Sequence, residues 1–250
     1  MIPSDGSLKG INFTMVNIKI NGIEYSVEEG TTILEACRQN GIKIPTLCWL
    51  KDINAIGACR ICVVEMTGAR SLVASCVYPL SKFDEGKNIM THSPAVLQSR
   101  KMTLQLLLSD HNMDCLACSR NGNCELQELC KELGVDDTTY FEGEKNEYDI
   151  DYSSKHMFRD NNKCIHCRRC IAACDKLQGI GVIGANNRGF KTSIDCAFDL
   201  DLAETACVSC GQCITACPTG ALSEKDDTDK VWDALADTEK GVVVQTAPAA

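Results

Sequence analysis

No stretch of this sequence approaches the 18 or more consecutive apolar residues of a membrane-spanning helix. No basic stretch followed by an apolar core occurs in Met1 to Thr14, so a secretory signal is not expected either. There is no excess of positive charge: the formal net charge is -9, which argues against a nucleic-acid-binding surface. A cytoplasmic protein with no membrane span and no nucleic-acid partner is the expectation. What the chain does have is cysteine, 18 in 250 residues. A chain of this length can bury a core without covalent or metal staples. Thiols at this density in a reducing compartment point to metal ligation rather than disulfides.

The cysteines fall into four groups. Cys48, Cys59, Cys62 and Cys76 form the first, and His111, Cys115, Cys118 and Cys124 the second, as H-x3-C-x2-C-x5-C. Cys164, Cys167, Cys170 and Cys174 make the third, and Cys207, Cys210, Cys213 and Cys217 the fourth. Both of these last runs read C-x2-C-x2-C-x3-C, and Pro218 completes the bacterial ferredoxin signature on the second. Thiolates at two-residue intervals let one tight loop wrap three corners of a 4Fe-4S cubane. The fourth, carried off by the start of a helix, serves the other cluster. The expected sets are therefore Cys164, Cys167, Cys170 with Cys217, and Cys207, Cys210, Cys213 with Cys174. Zinc is the competing reading, because C-x2-C pairs also occur in zinc knuckles, but a zinc site has no use for this doubled eight-cysteine arrangement.

Local patterns place these groups on elements. Val16, Ile18 and Ile20 alternate up to Asn21-Gly22, and Ile23, Tyr25 and Val27 alternate after it, as in a hairpin with a type I′ turn. Thr32 and Glu35 suit a capping box on a helix through Ile33, Leu34 and Ala36 that stops at Asn40-Gly41. Strands are expected at Ile61 to Met66 and Leu72 to Ser75. Hairpin, helix, cysteine loop and hairpin describe a β-grasp ferredoxin domain whose Cys48, Cys59, Cys62 and Cys76 hold a 2Fe-2S cluster, although their spacing differs from the plant-type pattern. Ser93-Pro94 opens a helix with an apolar stripe of Leu97, Leu104, Leu107 and Leu108 that delivers His111. His111 stands four residues before a C-x2-C that lacks a fourth thiol, so it is read as the fourth ligand of a 4Fe-4S cluster. Asp136 to Asp151, with seven acidic residues and one lysine, is expected to be an exposed linker. A hairpin is expected over Val182 to Ile194, turning at Asn186 to Gly189.

Other residues receive plainer readings. Gly179 to Gly184 matches G-x-G-x-x-G, but a dinucleotide site needs a βαβ unit that the 32 residues between Cys174 and Cys207 cannot supply; no flavin or nucleotide is expected here. Cys37, Cys130 and Cys196 are read as packed free thiols, and Trp49 and Trp232 as packing residues. His166 is expected to face solvent or hydrogen-bond near a cluster, and His92 and His156 carry no role.

This array, in this order, resembles the N-terminal region shared by FeFe hydrogenases, the large iron-sulfur subunit of complex I, and NAD-linked formate dehydrogenases and diaphorases. The helix Asp226 to Thr238 and the strand GVVVQTAPA from Gly241 are similar to the start of the FeFe hydrogenase catalytic domain. The multi-subunit, NAD-linked, electron-bifurcating enzymes are the family the chain most resembles. The resemblance implies an electron relay of one 2Fe-2S and three 4Fe-4S clusters. It implies partners in a flavin/NADH-binding subunit and a small 2Fe-2S subunit of a hydrogenase complex, or a soluble ferredoxin. The H-cluster active site lies outside residues 1–250, since no cysteine follows Cys217. The fold class is α+β: an N-terminal extension at 1–14, the 2Fe-2S β-grasp domain at 15–92, a helical one-His, three-Cys 4Fe-4S domain with the acidic linker at 93–150, a bacterial-type two-cluster ferredoxin domain at 151–225, and a truncated catalytic-domain start at 226–250. The rival function is a free-standing iron-sulfur subunit of a diaphorase, formate dehydrogenase or complex I-like enzyme; more remote is a zinc-held structural module.

Overall fold

The turn at Asn21-Gly22 has φ of +52° and +86°, the paired positive values that a type I′ hairpin needs and that Asn-Gly tolerates. It joins β1 (Met15–Ile20) to β2 (Ile23–Glu28), with Val16 opposite Val27 and Ile18 opposite Tyr25. This is seen in a computed structural model, which describes residues 14–136, 141 and 143–245. The N-terminal extension, except for Thr14, therefore lies outside the described residues.

Helix α1 (Ile33–Gln39) starts at Thr32, whose side chain accepts a hydrogen bond from the Glu35 N–H, and ends at Asn40 before Gly41 at φ +71°. The strands after the cysteine loop are shorter than expected: β3 (Val63–Met66) begins only after Cys62, and β4 is Val73–Ala74. β5 (Asn88–Met90) runs parallel to β1 and antiparallel to β3, which gives the sheet order β2-β1-β5-β3-β4. Val16, Ile18 and Ile20 point to the side where Ile33, Leu34, Ala36 and Cys37 of α1 pack, and Ile89 and Leu80 complete that core.

Helix α2 (Pro94–Ser109) is capped by Ser93, with Pro94 in its first turn. Its buried row is Val96, Arg100, Leu104 and Leu108, a strict four-residue repeat; Leu97 and Leu107 are only partly buried. Helix α3 (Glu125–Leu133) closes on Gly134 in the left-handed conformation. A second core joins three parts of the chain: Leu47, Cys48, Cys59 and Ile61 meet Leu104, Leu108, Leu126 and Leu129, together with Ile165 and Cys167.

The last part is built on β6 (Met157–Arg159), α4 (Arg169–Ala172) continuing into a π-helical turn at Ala173–Leu177, the hairpin β7 (Ile183–Asn186) and β8 (Ser193–Cys196), α5 (Gln212–Ala216) and β9 (Leu222–Glu224). β9 returns to pair antiparallel with β6. Gly179 to Gly184 thus falls between a π-helical turn and an antiparallel hairpin, not between a strand and a helix.

Two expectations are corrected, and one is refined. The acidic stretch, part of which lies outside the described residues, is exposed at Glu144, Lys145, Glu147 and Asp149, yet it is stitched down from Asn146 onward: Asn146 donates to both carboxylate oxygens of Asp110, at 2.7 and 2.8 Å, and Tyr148 N donates to Asn162. Asp151 is buried against Arg159 at 3.2 Å, and Asp195 meets the same guanidinium at 2.6 Å. Trp232, read as packing, is 65% exposed, because α6 (Thr228–Ala236) has no buried residue. Gly241 to Gln245 forms no strand, and the remainder of that expected strand lies outside the described residues. No helix among the described residues is long and apolar enough to cross a membrane.

Candidate metal centres

The first four cysteines converge in the wall between the sheet domain and α2. Cys48, Cys59, Cys62 and Cys76 are all buried, Cys48 and Cys59 in the core shared with α2 and Cys62 and Cys76 in the core under the sheet. Their mutual proximity lowers Cys48 and Cys62 and raises Cys59 and Cys76. Thiolate is the form that binds metal. Arg60, at φ +57°, makes the tight corner that brings Cys59 and Cys62 to one side. Ser75 Oγ and N both donate to the Cys62 carbonyl, at 2.7 and 3.3 Å, and lock the far wall.

His111, Cys115, Cys118 and Cys124 line one cavity of about 270 Å³ between α2 and α3. That is far more than the ~10–15 Å³ that admits a single water. His111 is buried, and burial followed by the charge of Lys163 pushes its pKa down to about 4, so the ring is neutral near pH 7. Its Nδ1 is an unpartnered buried nitrogen. Neutral imidazole with a free ring nitrogen is the form that ligates metal. Two residues that the ligand spacing does not assign to this site share its cavity. Cys130 lines it, its thiol pushed up to about 11 by burial. Gly220 lines it too, and a Cβ there would stand 2.5 Å from Cys118 Sγ.

The doubled run crosses. Cys164, Cys167 and Cys170 line one cavity with Cys217, and Cys207, Cys210 and Cys213 line another with Cys174. The π-helical turn carries Cys174 away from its own run, and Cys217 caps α5. Burial pushes Cys167 and Cys213 up to about 12, and Cys170 well above its ordinary value. Thiols raised this far stay protonated near neutral pH, and metal binding would release those protons. Among the described residues no three His, Cys, Asp or Glu groups are gathered as a single-ion site. The thiols of these two runs line two small voids instead, of about 20 Å³ each.

Direct bonds clamp the sites together. Asn54 is buried and its Nδ2 donates to two ligand-loop carbonyls, Cys48 O at 2.7 Å and Cys167 O at 3.1 Å. Arg169, beside Cys170, forms a bidentate pair with Glu125, at 2.7 and 3.0 Å, next to Cys124. Glu125 N donates to Pro218 O at 3.0 Å. Cys37 is a buried thiol pushed up to about 11 by burial, and Trp49 packs under Arg38, whose guanidinium lies 4.1 Å from the ring centre. Cys196 is buried and accepts from Arg159 at 3.5 Å. His166 is half-buried, and its N–H donates to Cys164 Sγ at 3.4 Å.

Three family models match the chain: a 2Fe-2S iron-sulfur cluster binding domain at residues 14–93, the NADH-ubiquinone oxidoreductase-G iron-sulfur binding region at 100–139, and a 4Fe-4S dicluster domain at 163–221. The chain is an iron-sulfur protein. It is 44% identical over 241 residues to the NADP-reducing hydrogenase subunit HndD of Solidesulfovibrio fructosivorans, covering 94% of this chain and 40% of that one. It is 36% identical over 214 residues to the NADPH-Fe(3+) oxidoreductase subunit alpha of Geobacter sulfurreducens, at 84% and 24% coverage. With the NADH-ubiquinone oxidoreductase 75 kDa subunit of Reclinomonas americana the identity is 33% over 219 residues, at 84% and 30% coverage. This iron-sulfur protein therefore spans less than half the length of these curated relatives. A solved chain from an NAD+-reducing [NiFe]-hydrogenase superposes with TM-score 0.77 and 28% identity, over 84% of this chain and 87% of that chain.

Proposed function

We propose that this chain is the electron-relay region of an FeFe hydrogenase that couples reversible H2 oxidation to NAD(H), to ferredoxin, or to both. In this reading Cys48, Cys59, Cys62 and Cys76 hold a 2Fe-2S cluster on a β-grasp ferredoxin domain. His111, Cys115, Cys118 and Cys124 hold a 4Fe-4S cluster. Cys164, Cys167, Cys170 and Cys217 hold another, and Cys174, Cys207, Cys210 and Cys213 a third, on a bacterial-type two-cluster domain. The observation that carries it is the gathering of all sixteen side chains into four sites, with the two ferredoxin runs crossed. When bound, such clusters accept and release single electrons. The protein's part is to fix them. Asn54 ties the Cys48 loop to the Cys167 loop, and Arg169 with Glu125 ties the Cys170 loop to the Cys124 turn. Buried leucines and isoleucines between these loops keep water out of the path and lower the dielectric around the ligands.

Since no cysteine follows Cys217, hydrogen activation would belong to a domain outside residues 1–250, entered through the segment at 226–250. The partners in this reading are a flavin/NADH-binding subunit and a small 2Fe-2S subunit, or soluble ferredoxin, in the cytoplasm. A second reading, a free-standing iron-sulfur subunit, is favoured by the solved hydrogenase chain, 87% of which this sequence covers.

Anaerobic purification followed by iron and sulfide analysis and EPR-monitored reduction tests the assignment. One 2Fe-2S and three 4Fe-4S signals are expected; a colourless, zinc-loaded protein refutes it. The denatured mass of the native polypeptide separates the two readings. A mass far above 27.2 kDa supports the hydrogenase, and a mass near it supports the free-standing subunit.

A further inference from the structure

Among the described residues Arg100 is the largest fully buried side chain, at 1% exposure, and it interrupts the otherwise apolar row of Val96, Leu104 and Leu108 on α2. Its Nη2 donates to the carbonyl of Val63 at 2.9 Å, and its Nε has no partner. Among the described residues no carboxylate stands in ion-pair contact with it. The other buried arginines are balanced: Arg159 by Asp151 and Asp195, and Arg169 by Glu125. A guanidinium withdrawn from water with a single hydrogen bond is costly unless an anion answers it.

The surroundings contain one fitting anion. Val63, which anchors Arg100, directly follows Cys62, and the Cys62 carbonyl is held in turn by Ser75, the neighbour of Cys76. Burial works against the Arg100 charge, nearby Cys62 and Glu132 favour it, and the Glu132 carboxylate is already engaged by Lys43 at 3.4 Å. Four thiolates around a 2Fe-2S core leave a net negative charge, and one-electron reduction adds to it. In a buried site that charge is screened far less than in water.

We propose that Arg100 is the resident counter-cation of the Cys48, Cys59, Cys62 and Cys76 site, and that it raises the site's reduction potential by stabilising the reduced state. This rests on the reading of those four cysteines as 2Fe-2S ligands. The net charge of a cluster and the groups around its sulfurs are the protein's means of setting its potential. The arrangement also crosses a domain boundary: the cation belongs to α2, in the segment that carries His111, while the thiolates belong to the sheet domain. Arg100 is therefore a positioning and tuning residue, not a ligand.

The test is an EPR-monitored redox titration of the full chain, purified without oxygen, as wild type, Arg100→Met and Arg100→Lys. Expected is a lower midpoint for the 2Fe-2S signal in Arg100→Met, a smaller change in the 4Fe-4S signals, and a value in Arg100→Lys nearer to wild type. If Arg100→Met fails to assemble the 2Fe-2S site while Arg100→Lys assembles it, the need for a charge is upheld. An unchanged or higher 2Fe-2S midpoint in Arg100→Met overturns the proposal. So does an equal shift in both variants, or loss of the site in both, since packing would then account for it. A wild-type chain without any 2Fe-2S signal would instead sink the underlying assignment.

Discussion

Gly220→Ala is the sharpest perturbation the structure offers. Gly220 does not need glycine for its backbone, because its φ is not positive. It is confined by contact alone. A Cβ would stand 2.5 Å from Cys118 Sγ, where ordinary contact begins at 3.4 Å, with Arg120 Cγ at 3.6 Å and Lys163 Cδ at 3.7 Å on its other sides. Close to 1 Å of movement is required, and two of the three neighbours already touch. In the apo chain Cys118 can swing away. In the loaded chain a thiolate fixed to iron cannot, so the clash falls on the loaded state. Overpacking of this kind costs about 1–3 kcal/mol, which is roughly 5- to 150-fold in the equilibrium between filled and empty site. Iron and sulfide analysis with EPR should find the His111, Cys115, Cys118 and Cys124 site depleted and the other sites filled. Full occupancy with an unchanged spectrum would falsify the placement of a cluster against Gly220.

Asn54→Leu leaves two buried carbonyls, of Cys48 and Cys167, without their donor; a loss of about 1–3 kcal/mol per unsatisfied group should lower the Tm of the holo chain, and an unchanged melting curve would remove the clamp from the account. His111→Cys replaces a neutral imidazole by a thiolate, and by analogy with Rieske centres the potential of that site should fall; a midpoint that stays or rises counts against ligation by His111. Cluster reconstitution should tighten as pH rises from about 7 to 9, since thiols such as Cys167 and Cys213, pushed up to about 12, must lose protons on binding; iron uptake that is flat across that range would show that these thiols are not ligands. Anaerobic chelation of the iron should abolish near-UV circular dichroism from the cluster loops and leave the β1–β5 sheet signal in the far UV, and an apo chain with both signals intact would contradict metal-coupled folding.

What the sequence disclosed and what it hid divide along chain distance. Ligand spacing is local, because one loop must wrap a cluster, so the crossed sets could be written from C-x2-C-x2-C-x3-C alone. The Asn21-Gly22 turn, the Thr32 cap and the Ser93-Pro94 helix start are equally local and were equally legible. The stripe on α2 was misplaced by following leucines. Leu97 and Leu107 lie at its margin, and the centre of the row is an arginine that a search for apolar residues passes over. The bonds that hold the end of the acidic stretch were hidden, because charge composition does not reveal that Asp151 faces a buried Arg159. Trp232 looked like a packing residue because an aromatic on a helix usually is one, yet α6 buries nothing among the described residues.

The groups that join the sites are the ones spacing could not reveal. Asn54 and Cys167 are 113 residues apart, and Arg169 and Glu125 are 44 apart. Gly220 meets Cys118 only because β9 returns to β6 and lays the turn before it against the His111 cavity. A relay needs both kinds of information. Short-range spacing decides what each site can hold, and long-range contacts decide how near the sites stand and how each is tuned. In the proposed relay, Asn54 and the Arg169–Glu125 pair are the contacts that hold the ligand loops to one another, and Arg100 is the charge that α2 brings to the sheet domain.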